Sequence, residues 1–357
     1  MSEKTTARAG SPRRLSRARR TATHVSHGPA TAMAPAFSPD NGRGSTNNSL
    51  AQYLKIARLD HWVKNAFMLP GAALAYTLSP VVSFDLLVRV FVGLLSTGLI
   101  ASANYTINEY LDAEFDKLHP LKRDRPAALG NIRGRFVAVQ YIALVSAGLA
   151  AAFSIGPYFL AASVALLLMG IVYNVRPFRT KDRVIVDVIS ESVNNPLRFL
   201  LGWFCVTTAA FPPSSALLSY WAGGAFLMSM KRYAEYRQIA NPAIAGSYRR
   251  SFAFYTERRL LVMAFFYALN TTLFLGIFLI KYRIEFVLLF PLLSLLFVEY
   301  FRMSMGDGST AYAPEKLYKE GRLMAILAAM LVMTLVLLWV KLPFLDFLLQ
   351  KIDLRPH

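Results

Sequence analysis

The chain has 357 residues, 55% hydrophobic and 17% charged, with 39 Lys plus Arg against 21 Asp plus Glu and a net charge of +18. Its mean hydropathy is +0.39. Soluble domains carry roughly a quarter charged residues, so a disordered chain is excluded and a water-soluble globular enzyme is disfavoured. The single cysteine, Cys205, excludes an intrachain disulfide framework and a multi-cysteine zinc site. High hydrophobicity with basic loops points to a membrane and not to nucleic acid.

Residues 1–48 are rich in Ser, Thr, Ala, Arg, Pro and Gly and contain no apolar run. Eight basic residues (Lys4, Arg8, Arg13, Arg14, Arg17, Arg19, Arg20, Arg43) face two acidic ones (Glu3, Asp40) there. Such a segment buries too little apolar surface to offset its ordering entropy. It reads as a disordered basic tail, with an Arg- and Ser-rich transit peptide as the alternative. No apolar core follows the arginines, so it does not read as a secretory signal. Residues 49–357 read as one transmembrane domain.

From residue 62 onward the chain alternates apolar runs with polar connections. A membrane span needs roughly 20 mostly apolar residues. Runs near 62–79, 86–107, 136–155, 158–174, 184–210, 214–230, 260–280, 284–302 and 323–342 predict an all-α polytopic protein of about nine spans. The connections after the second, fourth, sixth and eighth runs hold most of the Lys and Arg, and those between are short and nearly uncharged. Basic loops stay cytoplasmic. The N-terminus is therefore expected inside, in a bacterial plasma membrane or an organellar one, with the polar chemistry gathered on one face.

The sharpest pattern is ANYTINEYLDAEFDKLHPLKRDRPAALG, residues 103–130. Asn104, Asn108, Asp112 and Asp116 recur every four residues. Four helical residues turn about 400°, so the side chains form one slowly drifting row. A row of hard oxygens at the end of a span suits Mg²⁺, which binds through one or two carboxylates, waters and substrate phosphates. The metal ligands expected are Asn108, Asp112 and Asp116. Lys122, Arg123 and Arg125 follow at once and offer the donors that phosphate oxygens need. Row and cluster together read as a diphosphate site. His119 between them reads as a loop residue.

A second polar block is KDRVIVDVISESVNNPLRF, residues 181–199. Asp187 and Glu191 are one helical turn apart, and Asn194, Asn195 and Arg198 continue inward. Polar residues inside a span usually face the bundle interior and mark function. Asp187 is expected to contact a second metal or the sugar, with Glu191 next. Pro196 removes a backbone donor and is expected to bend the span. A third block, MKRYAEYRQI at 230–239 followed by SYRRSFAFYTERR, offers Lys231, Arg232, Arg249 and Arg250 to phosphates and Tyr233 and Glu235 to hydroxyls. The fourth and weakest is DHWVKN at 60–65, where Trp62 suits the interface and Lys64 with Asn65 falls at headgroup depth. Asp112, Asp116, Asp187 and Lys231 are the residues expected at the reacting groups.

The NxxxDxxxD row followed by KRxRP, in a chain of nine runs with its polar blocks on one face, resembles the UbiA superfamily of intramembrane prenyltransferases. HWVKN (61–65), NEYLDAEFDKLHPLKRDRPAALG (108–130), VIVD through PLR (184–198), KRYAEYR (231–237) with RRSFAFYT, and APEKL (313–317) are similar to its decaprenyl-phosphate phosphoribosyltransferase branch. The resemblance implies a helical bundle around a central cavity open to the bilayer. It implies Mg²⁺-dependent transfer of 5-phosphoribose from phosphoribosyl diphosphate to a polyprenyl phosphate. Asn108, Asp112 and Asp116 would then hold Mg²⁺ on the diphosphate, with Lys122, Arg123, Arg125 and Lys231 on phosphate groups. Family members usually place Asp directly after the motif asparagine, where this chain has Glu109. They are also apolar where Glu191, Asn194, Asn195 and Pro196 stand, and the DxxxE at 187–191 is similar to the second acidic motif of ordinary prenyltransferases.

The same residues suit a prenyltransferase that ionises an allylic diphosphate for an aromatic acceptor. A transporter coupling ions through intramembrane acids is a third reading, disfavoured because the acids sit at span ends beside basic loops. The expected partners are a polyprenyl phosphate and a diphosphate-bearing donor and not nucleic acid. Oligomeric state is open, a homo-oligomer included.

Overall fold

The computed structural model describes residues 50–78, 80, 82–119, 122–239, 241–282, 284–306, 310–312 and 314–348. The tail expected at 1–48 lies outside them. Every regular element among the described residues is helical.

A short helix α1 (Leu50–Ala57) leads into a 3₁₀ stretch, Leu59–Met68, and then α2 (Leu69–Tyr76). The run expected as the first span, 62–79, is therefore broken in two. Helix α3 (Phe84–Asp116) follows without interruption. Ser83 starts it in an extended conformation and accepts from the Leu86 amide at 3.1 Å, the arrangement that satisfies an orphan first-turn donor. Its 33 residues make it roughly 50 Å long, against a hydrocarbon core of roughly 30 Å. The excess is long enough to carry its last turns, with Asn108, Asp112 and Asp116, past an apolar layer of that thickness.

Helix α4 (Gly134–Ile155) turns directly into α5 (Pro157–Asn174). Gly156, at φ 143°, makes that corner in a conformation open to glycine, and Pro157 suits the first helical position. The run at 184–210 divides into α6 (Val186–Ser192) and α7 (Asn194–Val206). The division falls where the proline rule places it: Pro196 tolerates the first turn of a helix but not its interior. Helix α8 (Ser214–Ile239) contains the run at 214–230 and continues through the charged block. Then come α9 (Pro242–Tyr248), α10 (Glu257–Tyr282), α11 (Phe290–Met305), α12 (Gly321–Trp339) and α13 (Pro343–Leu348).

Five helical segments are long and apolar enough to cross a bilayer: 84–116, 134–155, 157–174, 257–279 and 284–305. A shorter apolar helix covers 321–337. The remaining expected runs are the broken 62–79, the divided 184–210 and the mixed-polarity α8. Large apolar side chains such as Phe153, Phe265, Leu331 and Val298 lie exposed, as lipid-facing positions do. The chain is an integral membrane protein.

Two apolar clusters hold the helices. One joins α2, α3, α4, α5 and α7 around Phe159, Leu201 and Trp203, and the other joins α8, α10 and α11 around Phe226, Met230 and Leu260. Helices α2 and α7 cross with almost no side chain between them. A Cβ on Gly71 would stand 2.0 Å from the Phe199 carbonyl oxygen, and one on Gly202 would stand 1.9 Å from that of Met68. Small residues at crossings allow this approach between membrane helices. At the end opposite the basic loops, Arg89 donates to the carbonyls of Cys205 (3.1 Å) and Ile155 (3.4 Å), closing the last turns of α7 and α4.

The crossing makes a direct prediction. Gly202→Ala forces backbone apart and costs about 2 kcal/mol, read as a fall in Tm of the detergent-solubilised protein. Gly276→Ala, whose Cβ meets nothing within 4 Å, does not lower it. Equal falls in the two variants would remove the crossing as the cause.

Candidate active site

The acidic row at the end of α3 is compensated by cations from a neighbouring loop. Asp112 Oδ1 accepts from Arg179 Nη2 at 2.8 Å and Lys181 Nζ at 2.6 Å, while Oδ2 accepts from Asn108 Nδ2 at 3.2 Å. Lys181 also donates to Asn174 Oδ1 at 2.8 Å, which joins the end of α5 to the row. Asp116 accepts from Arg125 Nη1 at 2.6 Å. The segment carrying Arg179 and Lys181 is bent hard. Arg179 has φ 32° and Ile185 has φ 68°, and a β-branched residue there is strained.

The second block forms around Arg232, whose side chain is buried. Its Nε meets Asp187 Oδ2 at 3.3 Å, its Nη2 meets Glu191 Oε2 at 2.6 Å and its Nη1 meets Glu235 Oε2 at 3.1 Å. One guanidinium thus holds carboxylates from α6 and α8. Asp187 further accepts from Tyr255 Oη at 2.6 Å and Ser251 Oγ at 3.3 Å. Glu191 accepts from Tyr173 Oη at 2.5 Å and lies 3.7 Å from Lys231 Nζ. Glu235 accepts from Lys122, and from Tyr248 Oη at 3.2 Å, with His119 Nε2 at 3.5 Å.

Shared partners fuse the two blocks. Arg249 Nη1 donates to Tyr173 Oη at 3.2 Å and lies 3.9 Å from Asp187. Lys122, from the loop after the row, reaches Glu235 and Tyr248 of α8 and α9. Burial lowers the affinity of both loop lysines for their protons: it pushes Lys181 down to about 8, with Asp112 opposing, and it lowers Lys122, with Glu235 opposing. Burial likewise keeps His119 below the usual histidine range. The arrangement presents ammonium and guanidinium donors around carboxylates at one end of the bundle, the chemistry that polyphosphate recognition requires.

The site thus brings together Asn108, Asp112, Asp116, Lys122, Arg125, Asp187, Glu191, Lys231, Arg232 and Arg249. Other expected residues stand elsewhere. Arg123 and Arg250 are exposed. Tyr233 is buried in the apolar cluster of α8, its hydroxyl 3.4 Å from Glu257. Asn104 turns onto α5, donates to the Leu166 carbonyl at 3.0 Å and packs against Gly170. Lys64 lies 5.6 Å from the centre of the Tyr105 ring, and Arg198 is buried on α7.

Sequence reasoning treats Arg179 and Lys181 only as topology-setting loop charges, and it passes over Asn174, Tyr173, Tyr248, Tyr255 and Ser251. The available signal is position: RPFRTKD lies immediately before the run that carries Asp187. Glu109, where family members have Asp, faces away from the row. It pairs with Arg58, which donates to Oε2 from Nε at 3.1 Å and from Nη2 at 2.9 Å. The longer side chain thereby ties the entry of the 3₁₀ segment to α3. Trp62 of that segment also donates to Ser102 at 2.9 Å and packs on Gly98.

The donor set fits a magnesium ion carried on a diphosphate. Asn108, Asp112 and Asp116 supply hard oxygens one turn apart. Among the described residues no three His, Cys, Asp or Glu side chains converge into a cage of their own, and Mg²⁺ ordinarily completes its shell from waters and phosphates.

A protein-family model described as the UbiA prenyltransferase family matches residues 66–319. The chain belongs to that family. Over 192 residues it is 31% identical to the decaprenyl-phosphate phosphoribosyltransferase of Mycobacterium tuberculosis strain H37Rv, covering 53% of this chain and 61% of that protein. The Mycolicibacterium smegmatis protein of the same name is 30% identical over 225 residues, 60% of this chain and 65% of that one. The chain thus spans under two thirds of the length of these relatives. In fold it is similar to a UbiA homolog from Archaeoglobus fulgidus bound to GPP and Mg²⁺, with a TM-score of 0.62 at 23% identity, covering 81% of this chain and all of that one. A structure of digeranylgeranylglyceryl phosphate synthase aligns at a TM-score of 0.55 and 14% identity, covering 81% and 96%.

Two predictions test the pairing. Asp112→Asn leaves Lys181 without a carboxylate and Arg179 with Asp182 alone, and breaking a buried pair from one side costs about 3 kcal/mol. Its Tm falls, and adding Lys181→Met recovers part of the loss while transferase activity stays absent. Recovery of activity in the double variant would assign Asp112 a purely structural part. Separately, Glu109→Gln removes the charge that faces Arg58 and lowers Tm by several degrees, with Glu109→Asp between it and the parent. A parental Tm in Glu109→Gln would show that the latch contributes nothing.

Proposed function

We propose that the chain is a Mg²⁺-dependent transferase that moves 5-phosphoribose from phosphoribosyl diphosphate to a polyprenyl phosphate and releases diphosphate. The observation that carries this reading is the density of buried cations and phenol hydroxyls around the two acidic motifs. Arg179, Lys181, Arg232 and Arg249 stand with Tyr173, Tyr248 and Tyr255 at one end of the bundle. A donor with a third phosphate and sugar hydroxyls uses such groups; an isoprenoid donor needs an apolar wall at its reacting carbon. The names of the relatives at 30–31% identity agree.

In this reading Asn108, Asp112 and Asp116 would hold Mg²⁺, which would supply neutralising charge to the departing diphosphate. Lys122, Arg125 and Lys181 bind the diphosphate oxygens, and their fixed positions favour the charge that builds there as the bond breaks. Asp187 and Glu191, oriented by Arg232, accept from the ribose hydroxyls. An oxygen of the acceptor phosphate bonds to ribose C1, and the C1–O bond to diphosphate breaks with its electron pair leaving on diphosphate. That oxygen is already anionic, so no strong general base is needed. Holding a lipid acceptor and a soluble donor at one mouth supplies the proximity term. The charge of the loops around it supports a cytoplasmic mouth.

The deciding experiment incubates purified protein with phosphoribosyl diphosphate, a polyprenyl phosphate and Mg²⁺. The expected products are a lipid-linked 5-phosphoribose and one diphosphate per transfer. EDTA abolishes both and added Mg²⁺ restores them. Turnover of a prenyl diphosphate with an aromatic acceptor, and none of phosphoribosyl diphosphate, would overturn the reading in favour of ordinary prenyl transfer.

A further inference from the structure

One buried cation is not used by the network above. Arg198 is 8% exposed. Its Nη1 donates to the Asn194 carbonyl at 3.3 Å, and its buried Nε has no hydrogen-bond partner among the described residues. No carboxylate pairs with it among those residues, whereas Arg232 on α8 meets three. A buried guanidinium is costly unless an anion or a water-filled space compensates it. The uncompensated charge therefore points to a ligand.

Its depth narrows the choice. Arg198 lies seven residues beyond Glu191 and eleven beyond Asp187 on the α6–α7 run, on the order of 15 Å further from the basic loops than Asp187. Lys64 Nζ lies 5.6 Å from the centre of the Tyr105 ring of α3. Tyr220 of α8, whose ring centre lies 5.1 Å from that of Phe199 next to Arg198, donates to the Phe67 carbonyl at 2.9 Å. Phe67, Val63 and Leu69 are exposed apolar side chains, so this part of α7 adjoins a lipid-facing wall.

We propose that Arg198 anchors a second anion subsite that holds the phosphomonoester head of the lipid acceptor. This rests on the transferase reading for the word acceptor, but the binding of a lipid monophosphate stands apart from any donor. Arg198 supplies a planar fork for two phosphate oxygens. The subsite thus sets the acceptor oxygen toward the donor and selects lipids that carry a phosphate over free alcohols.

The test uses the full chain in detergent with three probes: a polyprenyl monophosphate, the matching polyprenol and inorganic phosphate. The monophosphate raises the Tm of the parent protein and the polyprenol does not. Arg198→Met weakens monophosphate binding by at least about tenfold and leaves binding of phosphoribosyl diphosphate unchanged. Its ligand-free Tm equals or exceeds the parent's, because an uncompensated charge has gone. Arg198→Lys keeps the charge without the fork and carries the same test should the methionine variant not fold: weakened binding supports the subsite, and unchanged binding overturns it. Parental affinity in a folded Arg198→Met, equal loss of donor binding, or displacement of the lipid by inorganic phosphate would each overturn it. A protein that binds the lipid monophosphate through Arg198 yet transfers no ribosyl group keeps the subsite and loses only the transferase reading.

Discussion

Charge compensation out of bulk water is the constraint on which this molecule is built. Five carboxylates, Asp112, Asp116, Asp187, Glu191 and Glu235, each meet a cation at one end of an apolar bundle. Arg232 is the centre of that arrangement because a planar guanidinium can serve three acceptors at once. A lysine there would be a point charge without directed prongs. Paired charges of this kind add little net stability, so their value lies in fixing positions. The same pairs tie α6 to α8, the end of α3 to the loops that follow α3 and α5, and the first of those loops to α8, and they gather oxygens and nitrogens at that end of the bundle.

The legible parts of the sequence were those in which spacing alone sets geometry. The Asn108–Asp112–Asp116 row needed only helical periodicity, and the structure has it on one uninterrupted helix. Pro196 announced the division between α6 and α7 because a missing amide is a local property. The 62–79 run was not legible in the same way. Its apolar content reads as a span, but Arg58 in the left-handed region and its pair with Glu109 hold it as a 3₁₀ stretch and a short helix. Those are contacts between residues 51 apart, and a tertiary pair leaves no periodic trace.

Arg179 and Lys181 illustrate a different kind of blindness. Loop cations in a membrane protein already have an explanation in topology, so their chemistry stays hidden behind it. Only the backbone turn between Arg179 and Ile185 sends them back onto Asp112. Arg123 and Arg250 carry the same charge in comparable loops and stay on the surface. Residue type therefore does not separate the two groups; the path of the chain does. Tyr173, Tyr248 and Tyr255 escape notice for a related reason, since aromatic residues are common in membrane cores and only a hydroxyl's partner marks one as polar machinery.

The length of α3 links this chemistry to the bilayer itself. A helix that outruns the hydrocarbon layer must tilt, or let its surplus stand in the headgroup zone, and the cost changes by fractions of a kcal/mol per Å of mismatch. The oxygen row occupies that surplus. Thicker membranes would draw the row toward the acyl chains, and thinner ones would lift it into water. Acyl-chain length would thereby set how far the row stands from the apolar layer, through hydrophobic matching and without any contact to a specific lipid.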